Sequence, residues 1–190
     1  MIRRPQWTAR FLRYGARLAA ANEALGPRLK QAALWSDMAW LKERWGGPLV
    51  VKGIATPADA RRAVDSGADA LVVSNHGGLA LDGAPATLPV LQSIVDAVAG
   101  GIEVYLDGGV RQGSDVLRAL ALGARAVMIG PELLSLAVGG VAGVEHVLEM
   151  LRHQVDIALA MVGAQSTRDL DASFVRAPRE WAIAASGSYS

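Results

Sequence analysis

The residues best suited to chemistry lie in three short stretches. Lys52 sits in Val51-Lys52-Gly53-Ile54, His76 in Ser74-Asn75-His76-Gly77-Gly78, and Asp107 heads Asp107-Gly108-Gly109-Val110-Arg111-Gln112-Gly113-Ser114. An imidazole, with an ordinary pKa of about 6.5, exchanges protons near neutral pH, so His76 is the best single candidate for chemistry. Lys52 offers a compact positive charge that can neutralise an anion developing on a bound molecule. A strand-end carboxylate, glycines, Arg111 and a helix start together suit a phosphate, because backbone amides and a guanidinium converge there. Each stretch also has a plainer reading: a solvated lysine at a strand terminus, a hydrogen-bonded loop histidine, a structural turn. Gly77-Gly78 weighs toward chemistry, since glycine lets backbone approach a ligand closely. His146 and His153, seven apart on a late helix, read as helix surface rather than as a metal pair.

These residues need a scaffold, and the chain supplies a regular one. Gly46-Gly47-Pro48 ends a helix that Ser36 or Asp37 caps and that runs toward Trp45, then launches a strand at Leu49-Val50-Val51 with Lys52 at its carboxyl end. Thr56-Pro57 opens a helix reaching Ser66, and Gly67 stops it before a buried strand over Ala70–Val73. A helix over 88–98, a strand over Glu103–Leu106, a helix that Ser114 caps and that reaches Leu122, and a strand over 126–129 follow. Asp82-Gly83 reads as a turn, and two further helices fall near 131–138 and 143–162. Superposing residues 59–74 on 115–130 places Arg62 on Arg118, Gly67-Ala68 on Gly123-Ala124 and Ala70 on Ala126. The chain is therefore a run of βα units with parallel strands. Four strands are visible where a closed barrel has eight, so the fold class is α/β: half of a TIM (β/α)8 barrel, with active-site residues at the carboxyl ends of its strands.

Three segments follow from this reading: a helical stretch over 1–48, broken at Gly26-Pro27 and holding four of the five tryptophans; the half-barrel over 49–178; and a frayed tail over 179–190. Composition narrows the function classes. With 190 residues, 52% hydrophobic, 19% charged and a net charge of +1, the chain can bury a core and has no basic stripe for nucleic acid. The longest apolar stretch is interrupted by Arg118 and Arg125, so no membrane span is expected. The start is basic but no apolar region of a signal peptide follows it. The absence of cysteine excludes thiolate chemistry and disulfides and suits a reducing cytoplasm, the expected location.

Val-Lys-Gly-Ile (51–54), Ser-Asn-His-Gly-Gly (74–78), Leu-Asp-Gly-Gly-Val-Arg (106–111) and Ala-Leu-Gly-Ala-Arg-Ala-Val-Met-Ile-Gly (121–130) resemble, in order and spacing, the FMN-dependent α-hydroxy-acid oxidases and dehydrogenases, such as glycolate oxidase and lactate or mandelate dehydrogenase. The resemblance covers residues 1–170 and fits the C-terminal half of that family. Asp-Gly-Ala-Pro-Ala-Thr (82–87) and Trp-Gly-Gly-Pro (45–48) look most like the branch containing pre-mycofactocin synthase, which deaminates a peptide-derived amine oxidatively.

The resemblance implies FMN as cofactor and a small-molecule substrate oxidised at a CH–OH or CH–NH2 carbon. It implies that Lys52 stabilises negative charge at the N1 and O2 side of the flavin, that Ser74 touches the flavin, and that His76 takes the substrate proton. Asp107 would orient His76 or the ribityl chain, and Gly108, Gly109, Arg111 and Gly130 would hold the cofactor and its phosphate. Three departures stand out. Leu79 replaces a family arginine that forks onto a substrate carboxylate, and Pro131 replaces one that clamps the phosphate. Met1 aligns after the family's fourth strand, so the first half-barrel lies outside the match. Two readings compete with a truncated enzyme: a half-barrel that binds FMN or phosphate, or oligomerises, without catalysis, and an inactive fragment. Open parallel edges favour pairing with a second copy or with a complementing N-terminal half-barrel. An isomerase or lyase acting on a sugar phosphate would share the Asp-Gly-Gly turn, but Ser-Asn-His-Gly-Gly argues against it.

Overall fold

The computed structural model describes residues 34–130, 139–178 and 181. The chain divides into two compact units, Met1–Asp37 and Met38–Ser190. The helical patches expected before residue 34, the helix expected near 131–138 and, apart from Trp181, the tail after 178 lie outside the described residues.

Helix α1 (Asp37–Trp45) begins where the Asp37 carboxylate accepts the Leu34 N–H at 2.8 Å. Four parallel strands follow, β1 (Val50–Ile54), β2 (Ala70–Val73), β3 (Glu103–Leu106) and β4 (Ala126–Val127), hydrogen-bonded in the order β1-β2-β3-β4. The helices α2 (Pro57–Asp65), α3 (Thr87–Val98) and α4 (Gly113–Ala121) connect them, and α5 (Val141–Val162) packs on α4. A short 3-10 turn, His76–Gly78, leaves β2. This is the βα alternation expected from the sequence.

The two-unit repeat reappears in three dimensions. Asp59 pairs with Arg62 at 3.2 Å in α2, and Asp115 with Arg118 at 2.9 Å in α4. Each helix then ends on a glycine with positive φ, Gly67 or Gly123. After each, an alanine N–H returns to the helix, Ala68 to Ala63 O and Ala124 to Ala119 O. Thr56 caps α2 as expected, its hydroxyl accepting the Asp59 N–H at 3.1 Å, with Pro57 at the first helical position.

Most element boundaries fall within a residue or two of the sequence reading, and three of the differences have a local reason. Strand β1 does not stop at Val51. Gly53 adopts a φ of 104° and absorbs a register shift between Lys52 and Ile54, so Ile54 rejoins β2 opposite Val73 and buries its side chain. Lys52 is consequently inside the strand, paired with Val72. Strand β4 covers 126–127 rather than 126–129; it has β3 as its one partner in the sheet, and the Met128 N–H still donates to Leu106 O at 2.8 Å. Helix α4 is capped by Gln112, not Ser114, because the Asp115 carboxylate reaches back to the Arg111 and Gln112 amides at 3.1 and 3.2 Å.

The core lies between the sheet and its helices. All four β2 residues are buried, as a central parallel strand requires, and Val104 and Leu106 of β3 join them. Val90, Leu91, Ile94 and Val98 line one stripe of α3, and Ala60 and Ala63 let α2 sit close. Each fully buried leucine or isoleucine contributes about 1.5–3 kcal/mol through apolar area removed from water. On the far side, Gly113 opens α4 against α5: a Cβ there would lie 2.4 Å from the Gln154 carbonyl carbon, and the Gly113 N–H donates to Gln154 Oε1 at 2.9 Å. No described helix is long and apolar enough to cross a membrane.

Candidate functional site

Parallel strands deliver their carboxyl ends to one edge of the sheet, and that is where the three stretches meet. Lys52 comes from β1, Ser74 directly follows β2, and Asp107 directly follows β3. The Lys52 ammonium donates to Ser74 Oγ at 2.8 Å and pairs with Asp107 Oδ2, also at 2.8 Å. Ser74 is buried, and its hydroxyl also accepts the His76 N–H at 3.2 Å. Three adjacent strands thus fix one cation through one carboxylate and one hydroxyl.

A cleft of about 330 Å³ opens above this cluster, lined by Lys52, His76, Gly77, Asp107, Gly108, Met128, Ile129 and Gly130. Its size lies at the lower end of the range for small-molecule sites, ~300–1,000 Å³. His76 is exposed and has a φ of 54°. Its ring lies beside Gly53, where a Cβ would come within 3.2 Å of Cε1. The bulged glycine of β1 thereby makes room for the imidazole next to Lys52. Asp107 Oδ1 is buried and lacks a hydrogen-bond partner among the described residues. An orphaned carboxylate oxygen on a cleft wall is an acceptor for a ligand hydroxyl.

Of the residues marked in the sequence, Lys52, His76, Asp107, Gly108 and Gly130 line the cleft, and Ser74 braces it from beneath. Gly109 and Arg111 are exposed and do not line it. The expected phosphate cradle at the start of α4 is also changed. The amides of Arg111 and Gln112 are held by Asp115, and that of Gly113 by Gln154, so these donors are engaged within the chain. His146 and His153 are exposed on α5, and the described residues contain no cluster suited to a metal ion.

Several contributors carried no signal of their own in the sequence. The apolar run predicts strand at Met128 and Ile129, but β4 ends at Val127 and both residues line the cleft. Asn75 and Thr87 lay inside noticed motifs without a role. Here Asn75 bonds to Gly77 and Pro85, and the buried Thr87 donates to Gly108 O at 3.0 Å. Leu79 is 88% exposed and does not line the cleft.

Known proteins are similar to this chain in sequence and in fold. The chain is 52% identical over 149 residues to an L-lactate oxidase of Nostoc sp., covering 78% of this chain and 41% of that protein. It is 52% identical over 145 residues to a pre-mycofactocin synthase of Mycobacterium tuberculosis, covering 76% and 37% respectively. A crystal structure of mandelate oxidase with (S)-2-phenylpropionate superposes with a TM-score of 0.68 at 45% identity, over 71% of this chain and 41% of that one. The chain thus spans about two fifths of the length of the proteins it matches. Its four parallel strands are a partial TIM barrel, the C-terminal half. With residues 1–177 matching the FMN-dependent dehydrogenases, the chain belongs to that family.

Proposed function

We propose that this chain supplies the C-terminal part of the active centre of an FMN-dependent oxidoreductase that oxidises a small molecule at a CH–OH or CH–NH2 carbon. The observation that carries the reading is the Lys52 ammonium held between Ser74 Oγ and Asp107 Oδ2 on the wall of a cleft that His76 also lines. The residues present fit the cofactor: a fixed cation, an orphaned carboxylate oxygen, and glycine backbone at 108 and 130. When bound, FMN supplies the two-electron acceptor. Lys52 would neutralise negative charge developing on the ring, and because two oxygens already hold it, little reorganisation accompanies the reaction. Asp107 Oδ1 would accept from a ribityl hydroxyl, and His76 would take the proton from the substrate hydroxyl, amine or carbon. Gly108, Gly109, Arg111 and Gly130 would face the ribityl phosphate, in place of the engaged amides of α4.

The relatives carry the names L-lactate oxidase and pre-mycofactocin synthase. Leu79, apolar and outside the cleft wall, supports a substrate not anchored here through a carboxylate, hence an amine or alcohol of low charge. Strands β1 and β4 leave open edges in the described sheet. We place further strands against them, from a longer polypeptide, a complementing half-barrel or a second copy, to complete the shell around the flavin. The 190-residue chain alone is expected to bind FMN weakly. A stoichiometric yellow holoprotein from this chain alone would instead establish self-association into a closed barrel. In the flavin-loaded assembly, anaerobic addition of 2-hydroxy acids, uncharged alcohols and primary amines should bleach the flavin absorbance for one class; bleaching by none of them would refute the oxidoreductase assignment.

A further inference from the structure

The histidine loop holds one residue with a side chain, His76, in a backbone conformation that glycine adopts more readily. His76, Gly77 and Gly78 have φ values of 54°, 68° and 74°, a left-handed run of three with an imidazole on its first residue. Glycine adopts this region freely, whereas a residue with a Cβ stays there only when its surroundings hold it. Four hydrogen bonds do so. Ser74 Oγ accepts the His76 N–H at 3.2 Å and Asn75 Oδ1 accepts the Gly77 N–H at 3.1 Å. The Gly78 and Leu79 amides return to Asn75 O and His76 O at 3.0 and 3.3 Å.

Asn75 does more than close this turn. Its Nδ2 donates to Pro85 O at 3.2 Å, which ties the histidine loop to the segment leading into α3. Its Oδ1 also stands where a Cβ on Gly108 would come within 2.8 Å, so the Asp-Gly-Gly turn lies directly against it. Thr87, at the first turn of α3, donates to Gly108 O at 3.0 Å and completes the link from the other side. One carboxamide therefore touches three loops: the one carrying His76, the one following Asp107, and the one before α3.

We propose that Asn75 is the positioning residue of this centre, setting the left-handed turn that aims His76 and fixing its distance from the Asp107 turn. That His76 acts as a base rests on the function proposed above; the clamp itself rests on the hydrogen bonds of this chain alone. An aspartate at 75 would keep the acceptor for Gly77 and lose the donor to Pro85, whereas an alanine would lose both.

The test is made first on the isotope-labelled 190-residue chain, without flavin. In Asn75→Ala, the Gly77 amide should exchange with solvent about tenfold faster, the factor for one lost hydrogen bond. The His76 ring resonance should move toward those of the exposed His146 and His153, which should not shift. Asn75→Asp should keep Gly77 protection and most of the His76 shift, and it serves as the decisive variant if the alanine chain fails to fold. Unchanged Gly77 exchange and an unmoved His76 resonance in Asn75→Ala, or an Asp variant that loses both as fully as a disordered loop does, would overturn the proposal. In the flavin-loaded assembly, Asn75→Ala should lower the rate of flavin reduction at saturating substrate more than it raises KM, with aspartate recovering part of the loss; equal losses in the two variants would overturn it. Failure of any assembly to bind flavin would count against the function proposed above and leave the exchange and resonance measurements to decide the clamp.

Discussion

Lys52 Nζ and Asp107 Oδ2 lie 2.8 Å apart although their strands, β1 and β3, are separated by β2. The ammonium bridges that gap by also donating to Ser74 Oγ, directly after β2. A charge held by neighbours on two other strands is preorganised, and Asp107 is the better shielded partner, with 16% of its side chain exposed against 38% for Lys52. Asp107→Asn should therefore weaken FMN binding by about tenfold in the assembled protein, the lower end of what a hydrogen bond to a charged group contributes, because the pair is partly solvent-screened. Quenching of flavin fluorescence during titration measures it. Unaltered affinity would mean that the pair only braces the strands.

Gly53→Ala tests the room made for His76. A φ of 104° is strained for any side chain, and the added Cβ would come within 3.2 Å of His76 Cε1. A loss of about 1–2 kcal/mol is expected from the urea midpoint. The His76 ring resonance should move in the same variant, and a stability loss without that movement would separate the bulge from the site.

What the sequence revealed and what it concealed divide along the range of the interactions. Helix signals act within a few residues, so Thr56-Pro57 and the glycines after α2 and α4 were legible directly. Strand ends depend on partners distant in sequence. Nothing near Lys52 announces that Gly53 will bulge and let β1 continue to Ile54, nor near Met128 that β4 stops at Val127 and leaves Met128 and Ile129 to the cleft. The site followed the same rule. His76, Lys52 and Asp107 stood out because their types are chemical, whereas Asn75 works through contacts 10 residues away at Pro85 and farther still at Gly108. At the α4 start of the expected phosphate cradle, Gln154, on a helix 41 residues later, takes the Gly113 amide.

Gly113→Ala probes that last contact. Its Cβ would fall 2.4 Å from the Gln154 carbonyl carbon and 2.5 Å from the Val155 nitrogen, both backbone atoms that no rotamer change can move aside. Either α5 shifts or α4 starts elsewhere. A destabilisation of about 3 kcal/mol, the upper part of the range for overpacking, should appear in chemical denaturation. A loss under about half of that would mean that α5 yields easily.

Asp69 carries an acid-sensitive contribution to stability. The hydrogen bond from Lys42, then the one from the Leu49 N–H, hold its carboxyl below the usual carboxylate range. A depressed folded-state value means that the stabilisation is complete above the unfolded value, about 3.9, and is lost as pH falls through the folded one. The stability gap between the wild type and Asp69→Asn should accordingly be largest near neutrality and close as the pH drops below about 4. Urea midpoints of both chains across that range measure it; a gap that stayed constant with pH would assign the effect of the substitution to packing.

His76→Ala separates binding from chemistry. The imidazole takes no part in the Lys52, Ser74 and Asp107 side-chain cluster; only the His76 backbone amide touches it, at Ser74 Oγ, and alanine keeps that amide. Flavin affinity in the assembled protein should therefore change little. If the ring is the base, reduction of the flavin by substrate should slow by about 10²–10⁴-fold, the usual contribution of a positioned proton acceptor. The turn must survive for this comparison to be fair, and the Gly77 amide reports on it, since its bond to Asn75 Oδ1 is independent of the side chain at 76. Slow reduction with a protected Gly77 would assign the loss to the missing proton acceptor. Undiminished reduction would remove His76 from the chemistry and leave the Asp107 carboxylate as the remaining proton acceptor among the described residues lining the cleft.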